Sequence, residues 1–255
     1  MKKFSLRGLY LFAAVMLFLL LHFPFAFSNS GSIRAFNKDS SALSKNATLS
    51  APVTASASTS FLLYDSLHLN DFGLSPQAFS YALKGYEKLK KSGKLVNEKV
   101  ISIVDFSLPS YKKRLFIIDI SNFKLLYNTY VAHGQNTGKA YANAFSNKPE
   151  SHQSSLGFYI TSGTYNGGNG FSMYLNGMEP GFNDRANERA IVMHGADYVS
   201  EQFIKNQGYI GRSYGCPAVP EKLNKPIIEK IKNGSCLFIY SNNKNYLSRS
   251  KLINS

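Results

Sequence analysis

The sequence predicts a mainly β domain with short peripheral helices, led by an N-terminal helical segment. Three observations carry this. After Lys94 the chain runs in short stretches of β-branched and aromatic residues, turn residues break those stretches, and one well-signalled helix comes before them.

Residues 1–28 read as a secretory signal: Lys2, Lys3 and Arg7 precede an apolar run from Leu9 to Leu21, and Ala26-Phe27-Ser28 offers small residues for cleavage. Thirteen apolar residues are too few to cross a bilayer comfortably, so export is expected, with an uncleaved anchor through Phe27 as the alternative membrane link. No Cys follows the run, and a lipid anchor is not indicated. Residues 29–60 are rich in Ser, Ala, Thr and Asn and read as a flexible linker, because they hold too little apolar surface to fold alone.

Residues 61–94 form the helical segment. Ser75 is a good N-cap, Pro76 suits the first helical turn, and Ala78, Phe79, Ala82, Leu83, Tyr86 and Leu89 share one face up to the stop at Gly93. The main folded domain is expected over 95–240. Its strands are read at Val100 to Phe106, Leu115 to Ile120, Leu125 to Ala132, Leu156 to Thr161, Ala190 to Met193 and Cys236 to Tyr240. The unbroken run Leu115-Phe116-Ile117-Ile118 suits a strand covered on both faces. Residues 162–170, dense in Gly and Asn, read as a hairpin loop, and they lack the Lys of a phosphate-binding loop. Asp197 to Asn206 and Glu221 to Lys232 are helix candidates, and 241–255 reads as a loosely held polar tail.

The formal charge of +14 falls to about +11 once the signal's three basic residues are removed, which favours anionic envelope polymers as partners. Nucleic acid is disfavoured, because the basic residues are scattered and no basic helix or zinc-finger spacing appears. Cys216 and Cys236 are the only cysteines, so an exported chain could join them in a disulfide.

The informative stretch runs from Ile191-Val192-Met193-His194-Gly195 to Gly211-Arg212-Ser213-Tyr214-Gly215-Cys216-Pro217. An apolar strand delivers His194, and Gly195 allows a sharp turn and close approach. Cys216 sits in a Gly-containing turn whose backbone N–H groups suit an oxyanion, with Tyr214, Gly215 and Gly195 as the turn residues concerned. A thiol needs a nearby base to become a thiolate at neutral pH, and His194 is assigned that role. His133, at the end of Tyr130-Val131-Ala132, competes for it or else lines the groove. Ser213 is read as a hydrogen bond that holds the turn or the His194 ring.

These residues resemble the murein L,D-transpeptidase catalytic domain family, the YkuD-type cysteine L,D-transpeptidases. Their signature is a His-Gly pair followed by Ser/Thr-His-Gly-Cys, matched here by His194, Gly195, Ser213, Gly215 and Cys216. Tyr214 replaces the second His of that signature, and Ala218 stands where an Arg often follows the Cys. The resemblance implies a YkuD-like β-sandwich of mixed sheets and an acyl transfer on peptidoglycan stem peptides. Cys216 would cleave the diamino acid–D-Ala bond of a tetrapeptide through a thioester, with catalysis by Cys216, His194 and Ser213. Arg212, Arg189 or Arg185 would meet the donor carboxylate, beside His133 in the groove. Carbapenem-type inhibitors would acylate the same thiol, and the location would be the periplasm or cell envelope. Water as acceptor would make the chain an L,D-carboxypeptidase, and an inert peptidoglycan-binding protein is the remaining alternative. No cofactor or metal is expected, since no short His/Cys spacing links His133, His152, His194 and Cys216. A disulfide to Cys236 would block this chemistry, so Cys236 is read as a buried thiol.

Overall fold

Helix formation follows the expected cues at residue 75. In the computed structural model, which describes residues 53–254, α1 spans Val53–Ser66 and α2 spans Pro76–Lys91. The Ser75 hydroxyl accepts the Ala78 N–H at 3.3 Å, and Gly93 closes the C-terminal end at φ +65°. The buried face of α2 carries Ala78, Phe79, Ala82, Tyr86 and Leu89. Gly85 on that face is needed for packing, because a Cβ there would fall 2.0 Å from the Phe158 ring.

The signal segment and most of the 29–60 linker lie outside the described residues. Of the linker, however, the part from Val53 onward is the start of α1. The 61–94 segment shares one core with the sheet: Tyr64, Phe79 and Tyr86 pack in the same cluster as Ile101, Phe158 and Phe238.

Eight strands make one mixed sheet: β1 Val100–Asp105, β2 Leu115–Asp119, β3 Lys124–Thr129, β4 Gly157–Gly167, β5 Gly170–Gly177, β6 Val192–Ala196, β7 Ala218–Pro220 and β8 Cys236–Tyr240. Their spatial order is β3-β2-β1-β8-β4-β5-β6-β7. Every residue of β1, β2 and β8 is buried, which explains their unbroken apolar sequences. β1 pairs in parallel with β8, and β6 with β7, while the other ladders are antiparallel.

The two edges of this sheet are drawn together. Beyond β3 the chain continues as Tyr130 to Gln135 and bonds to the approach to β7: Ala132 N–H donates to the Ala218 carbonyl at 2.8 Å, and Ser213 N–H to the His133 carbonyl at 3.0 Å. The sheet is therefore nearly closed, and the Ser213–Cys216 turn is clamped between the two edges.

Three expectations need correction. Residues 162–170 are mostly strand, since β4 and β5 pair down to Gly167 and Gly170 with only Gly168-Asn169 between them. Stacking of Tyr165 on Tyr174 at 4.6 Å supports this exposed arm, which has no apolar alternation to reveal it. Helix α3 covers Glu201–Gln207 and buries none of its residues, whereas Val199 packs ahead of it. The tail is docked: α5 Lys244–Arg249 and α6 Lys251–Asn254 bury Tyr246 and Ile253, and the Tyr246 hydroxyl donates to the buried Glu179 carboxylate at 2.7 Å. Helix α4, Glu221–Ile231, lies where expected. Among the described residues no helix is long and apolar enough to cross a membrane.

Candidate active site

Cys216 follows Gly215, whose φ of +123° is a conformation that favours glycine. Any Cβ on Gly215 would also stand 2.8 Å from the Gln153 carbonyl. Ser213 holds the turn from inside: its hydroxyl accepts the Gly215 N–H at 3.0 Å and donates to the Cys216 carbonyl at 2.7 Å. Ser154 ties the turn to the other edge, donating to the Gly215 carbonyl at 3.3 Å and accepting the Gly134 N–H at 3.1 Å.

Both thiols are free, so no disulfide forms. Cys236 is fully buried in β8, and its pKa is pushed far above the thiol range by desolvation. Cys216 is half-buried, with Sγ taking the Val192 N–H at 3.5 Å and facing the Ala190 carbonyl at 3.7 Å. Ala190 itself has a left-handed backbone at φ +50°. Burial pushes the Cys216 thiol upward, opposed by the Val192 N–H and the charge of Arg189.

His194 lies in the middle of β6 rather than at its end, in register with Ala218. Gly195 makes no sharp turn; it admits helix α4, since a Cβ there would stand 2.9 Å from the Cβ of Asn224. The His194 Nδ1 faces the Gly195 carbonyl at 2.9 Å, so Nδ1 carries the proton and Nε2 is the free acceptor. Burial lowers the pKa of this ring and keeps it neutral at neutral pH. The bond from the Val192 N–H puts Sγ beside β6 two residues before His194, whose strand partner Ala218 lies two residues after Cys216. Sγ and the imidazole share no hydrogen bond, each being bound to backbone groups instead.

His133 is not in the groove. It is buried, with Nδ1 accepting from Arg114 Nη2 at 2.7 Å and Nε2 facing the Gly138 carbonyl at 3.1 Å. Desolvation and the Arg114 charge push its pKa down to about 3, so it is a neutral structural ring with no nitrogen left for a base. Sequence reading had no cue for Arg114, a fully buried cation whose guanidinium also binds the Val131 and Leu108 carbonyls and covers the Phe106 ring.

The three arginines separate clearly. Arg185 is bound at the surface by Glu188 at 2.6 Å. Arg189 is half-buried and bound to the loop of residues 146–155. Arg212 donates through Nη1 to the Gln135 and Gly138 carbonyls and has no protein partner on Nε or Nη2 among the described residues. Tyr214 is 69% exposed and packs against His152 with ring centroids 4.5 Å apart and planes tilted by 31°. The N–H groups of Tyr214 and Cys216 have no protein acceptor among the described residues, whereas that of Gly215 is bound to Ser213. A cavity of about 670 Å³ lies elsewhere, at the far ends of β6 and β7 beside Tyr130, Glu201 and Pro220, and neither Cys216 nor His194 lines it. Among the described residues, no group of three or more His, Cys, Asp or Glu gathers as a metal site.

A family model of the L,D-transpeptidase catalytic domain matches residues 70–240, more than half of the chain. The chain belongs to this family. No curated protein sequence matches it. Among solved structures it is similar to the LD transpeptidase LdtMt1 in complex with imipenem, at 13% identity and a TM-score of 0.34, over 56% of this chain and 59% of that one. It is also similar to an L,D-transpeptidase from Stackebrandtia nassauensis, at 12% identity and 0.35, over 66% and 68%. A third is the helical cell shape determining protein Pgp2 from Campylobacter jejuni, at 14% identity and 0.35, over 57% and 48%. The chain thus spans less than two thirds of the first and third of these. In this L,D-transpeptidase family member the turn residue Tyr214 lies open to solvent.

Proposed function

We propose that this L,D-transpeptidase family member is an exported peptidoglycan transpeptidase with Cys216 as nucleophile and His194 as base. The observation that supports it most is the polarity of the site. A free thiol sits in a turn with two unengaged backbone N–H groups and bonds to Val192 on β6, the strand that carries a neutral imidazole at His194, whose Nδ1 proton is fixed on Gly195 and whose Nε2 is open.

His194 Nε2 takes the Sγ proton as sulfur attacks the carbonyl of the diamino acid–D-Ala bond in a tetrapeptide stem. The N–H groups of Tyr214 and Cys216 receive the oxyanion, while Ser213 keeps the turn in shape. On collapse the C–N bond breaks, the His194 proton goes to the departing D-alanine amine, and a thioester remains. An acceptor amine then gives its proton to His194, attacks the thioester and releases the Cys216 thiolate, which is reprotonated. Arg212, with Nε and Nη2 open, is the cation for the donor's terminal carboxylate. Water in place of the amine would give L,D-carboxypeptidase action at the same site.

Defined disaccharide-tetrapeptides incubated with the mature chain and read by mass spectrometry test this directly. Cross-linked dimers or trimmed tripeptides that vanish in Cys216→Ser are expected. Wild-type turnover by Cys216→Ser would remove the nucleophile assignment. A carbapenem is expected to add its mass to the Cys216 peptide.

A further inference from the structure

Sequence alone does not rank Arg189 above Arg185 or Arg212 as a carboxylate binder, but the structure gives it different surroundings. Nη1 donates to the Ser146 carbonyl at 2.8 Å and to the Ser155 hydroxyl. Nη2 donates to the Gln153 carbonyl at 2.6 Å and to the Ser151 hydroxyl at 3.2 Å. All four acceptors belong to the loop of residues 146–155. Two members of that loop, Glu150 and His152, hold left-handed backbone at φ +53° and +52°. Side chains other than glycine are strained there and persist only where the surroundings hold them.

The same guanidinium reaches the nucleophile turn. Nη2 stands 3.2 Å from the point where a Cβ on Gly215 would lie, and the Gln153 carbonyl it binds stands 2.8 Å from that point. Loop, guanidinium and turn therefore meet over Gly215, one residue from Cys216. The Arg189 Nε–H is buried without a protein partner. The mutual influence of Arg189 and Cys216 on each other's ionisation agrees with that closeness.

We propose that Arg189 is a positioning residue that clasps the 146–155 loop against the Gly215–Cys216 turn and presents a fixed positive charge to the thiolate. The idea rests on the reading of Cys216 as the reactive thiol. It also gives Gly215 a second reason to lack a side chain, since a methyl group there would displace the cation.

The test is the pH dependence of Cys216 alkylation by iodoacetamide in the full chain, with the buried Cys236 as internal control. Arg189→Met removes the charge and is expected to raise the alkylation midpoint by about one pH unit and to slow labelling at neutral pH about tenfold. Arg189→Lys keeps a charge but loses the planar fork. Its midpoint should stay near that of the wild type, while the loop becomes cleavable by a Glu-specific protease after Glu150. Ser151→Ala should leave the midpoint unchanged. An unmoved midpoint in Arg189→Met overturns the charge role, and a protease-resistant loop in Arg189→Lys overturns the clasp. If the Met variant does not fold, the Lys variant still decides: a midpoint raised as far as loss of the charge predicts would count against the proposal. Neither readout needs transpeptidation. A wild-type chain that labels as expected yet never turns over tetrapeptide would sink the proposed function and leave this inference standing.

Discussion

The imidazole of His194 gives its Nδ1 proton to the carbonyl of its own neighbour, Gly195, at 2.9 Å. This contact fixes one tautomer without a carboxylate and pushes the ring's pKa upward, although burial outweighs it. His133 is the reverse case, with both nitrogens engaged by Arg114 and Gly138. His194→Ala is expected to slow acylation of Cys216 by about 10² to 10⁴-fold, the usual worth of a general base, with the fold retained. His133→Ala should instead lower the melting temperature, because it leaves the buried Arg114 without one of its acceptors. Acylation rates and thermal melts on both variants check the pair, and a stable His133→Ala protein with the larger rate loss would reverse the assignment.

The sequence made much of this site legible, for identifiable reasons. Cys216, Gly215 and Ser213 are neighbours in the chain, so the turn's chemistry is written locally. Strands β1, β2 and β8 are equally readable, because burial on both faces demands continuous apolar residues. The outer half of β4 is largely exposed and rich in Gly, Thr and Asn, so backbone pairing forms it with no hydrophobic pattern to show it, while its partner β5 buries Ser172, Met173 and Leu175. Arg114 and Arg189 were opaque for another reason. Whether an arginine is solvated or buried depends on acceptors far away in sequence, such as Val131 and Gln153.

The thiol's ionisation gives a pH prediction. Burial raises the Cys216 pKa from its ordinary 9.0, and burial lowers that of His194 from 6.5. Both shifts favour neutral forms, so the protein holds a thiol and an imidazole rather than an ion pair at neutral pH. Iodoacetamide labelling of wild-type Cys216 is therefore expected to keep climbing past pH 9.0, with no plateau near neutrality. A plateau between the two ordinary values would mean that a preformed thiolate–imidazolium pair exists.

Ser213 makes two hydrogen bonds within its own turn. Ser213→Ala would leave the Gly215 N–H and the Cys216 carbonyl without that partner, at a cost of about 1–3 kcal/mol where they stay dry. Acylation should fall about tenfold through loss of turn geometry, since a misplaced nucleophile loses orientation. Ser213→Thr keeps the hydroxyl and should recover most of the rate. If Thr were as slow as Ala, the hydroxyl would not be what holds the turn.

The C-terminal helices offer a test of fold rather than chemistry. Tyr246 is 1% exposed, and its hydroxyl donates to Glu179 Oε2, which also accepts the Phe158 N–H at 2.9 Å. The Ser250 hydroxyl donates to Glu179 Oε1, so one buried carboxylate joins the start of β4 to both α5 and the residue before α6. Desolvation raises the pKa of Glu179, which shows how little water remains to replace a lost donor. Tyr246→Phe keeps the ring packed on Phe182 and removes only the donor, so it should cost about 1.5–3 kcal/mol, the range for a hydrogen bond to a charged group. Denaturant unfolding of this variant reads that loss. An unchanged midpoint would mean that the hydrogen bond from Tyr246 to Glu179 contributes nothing to holding the tail.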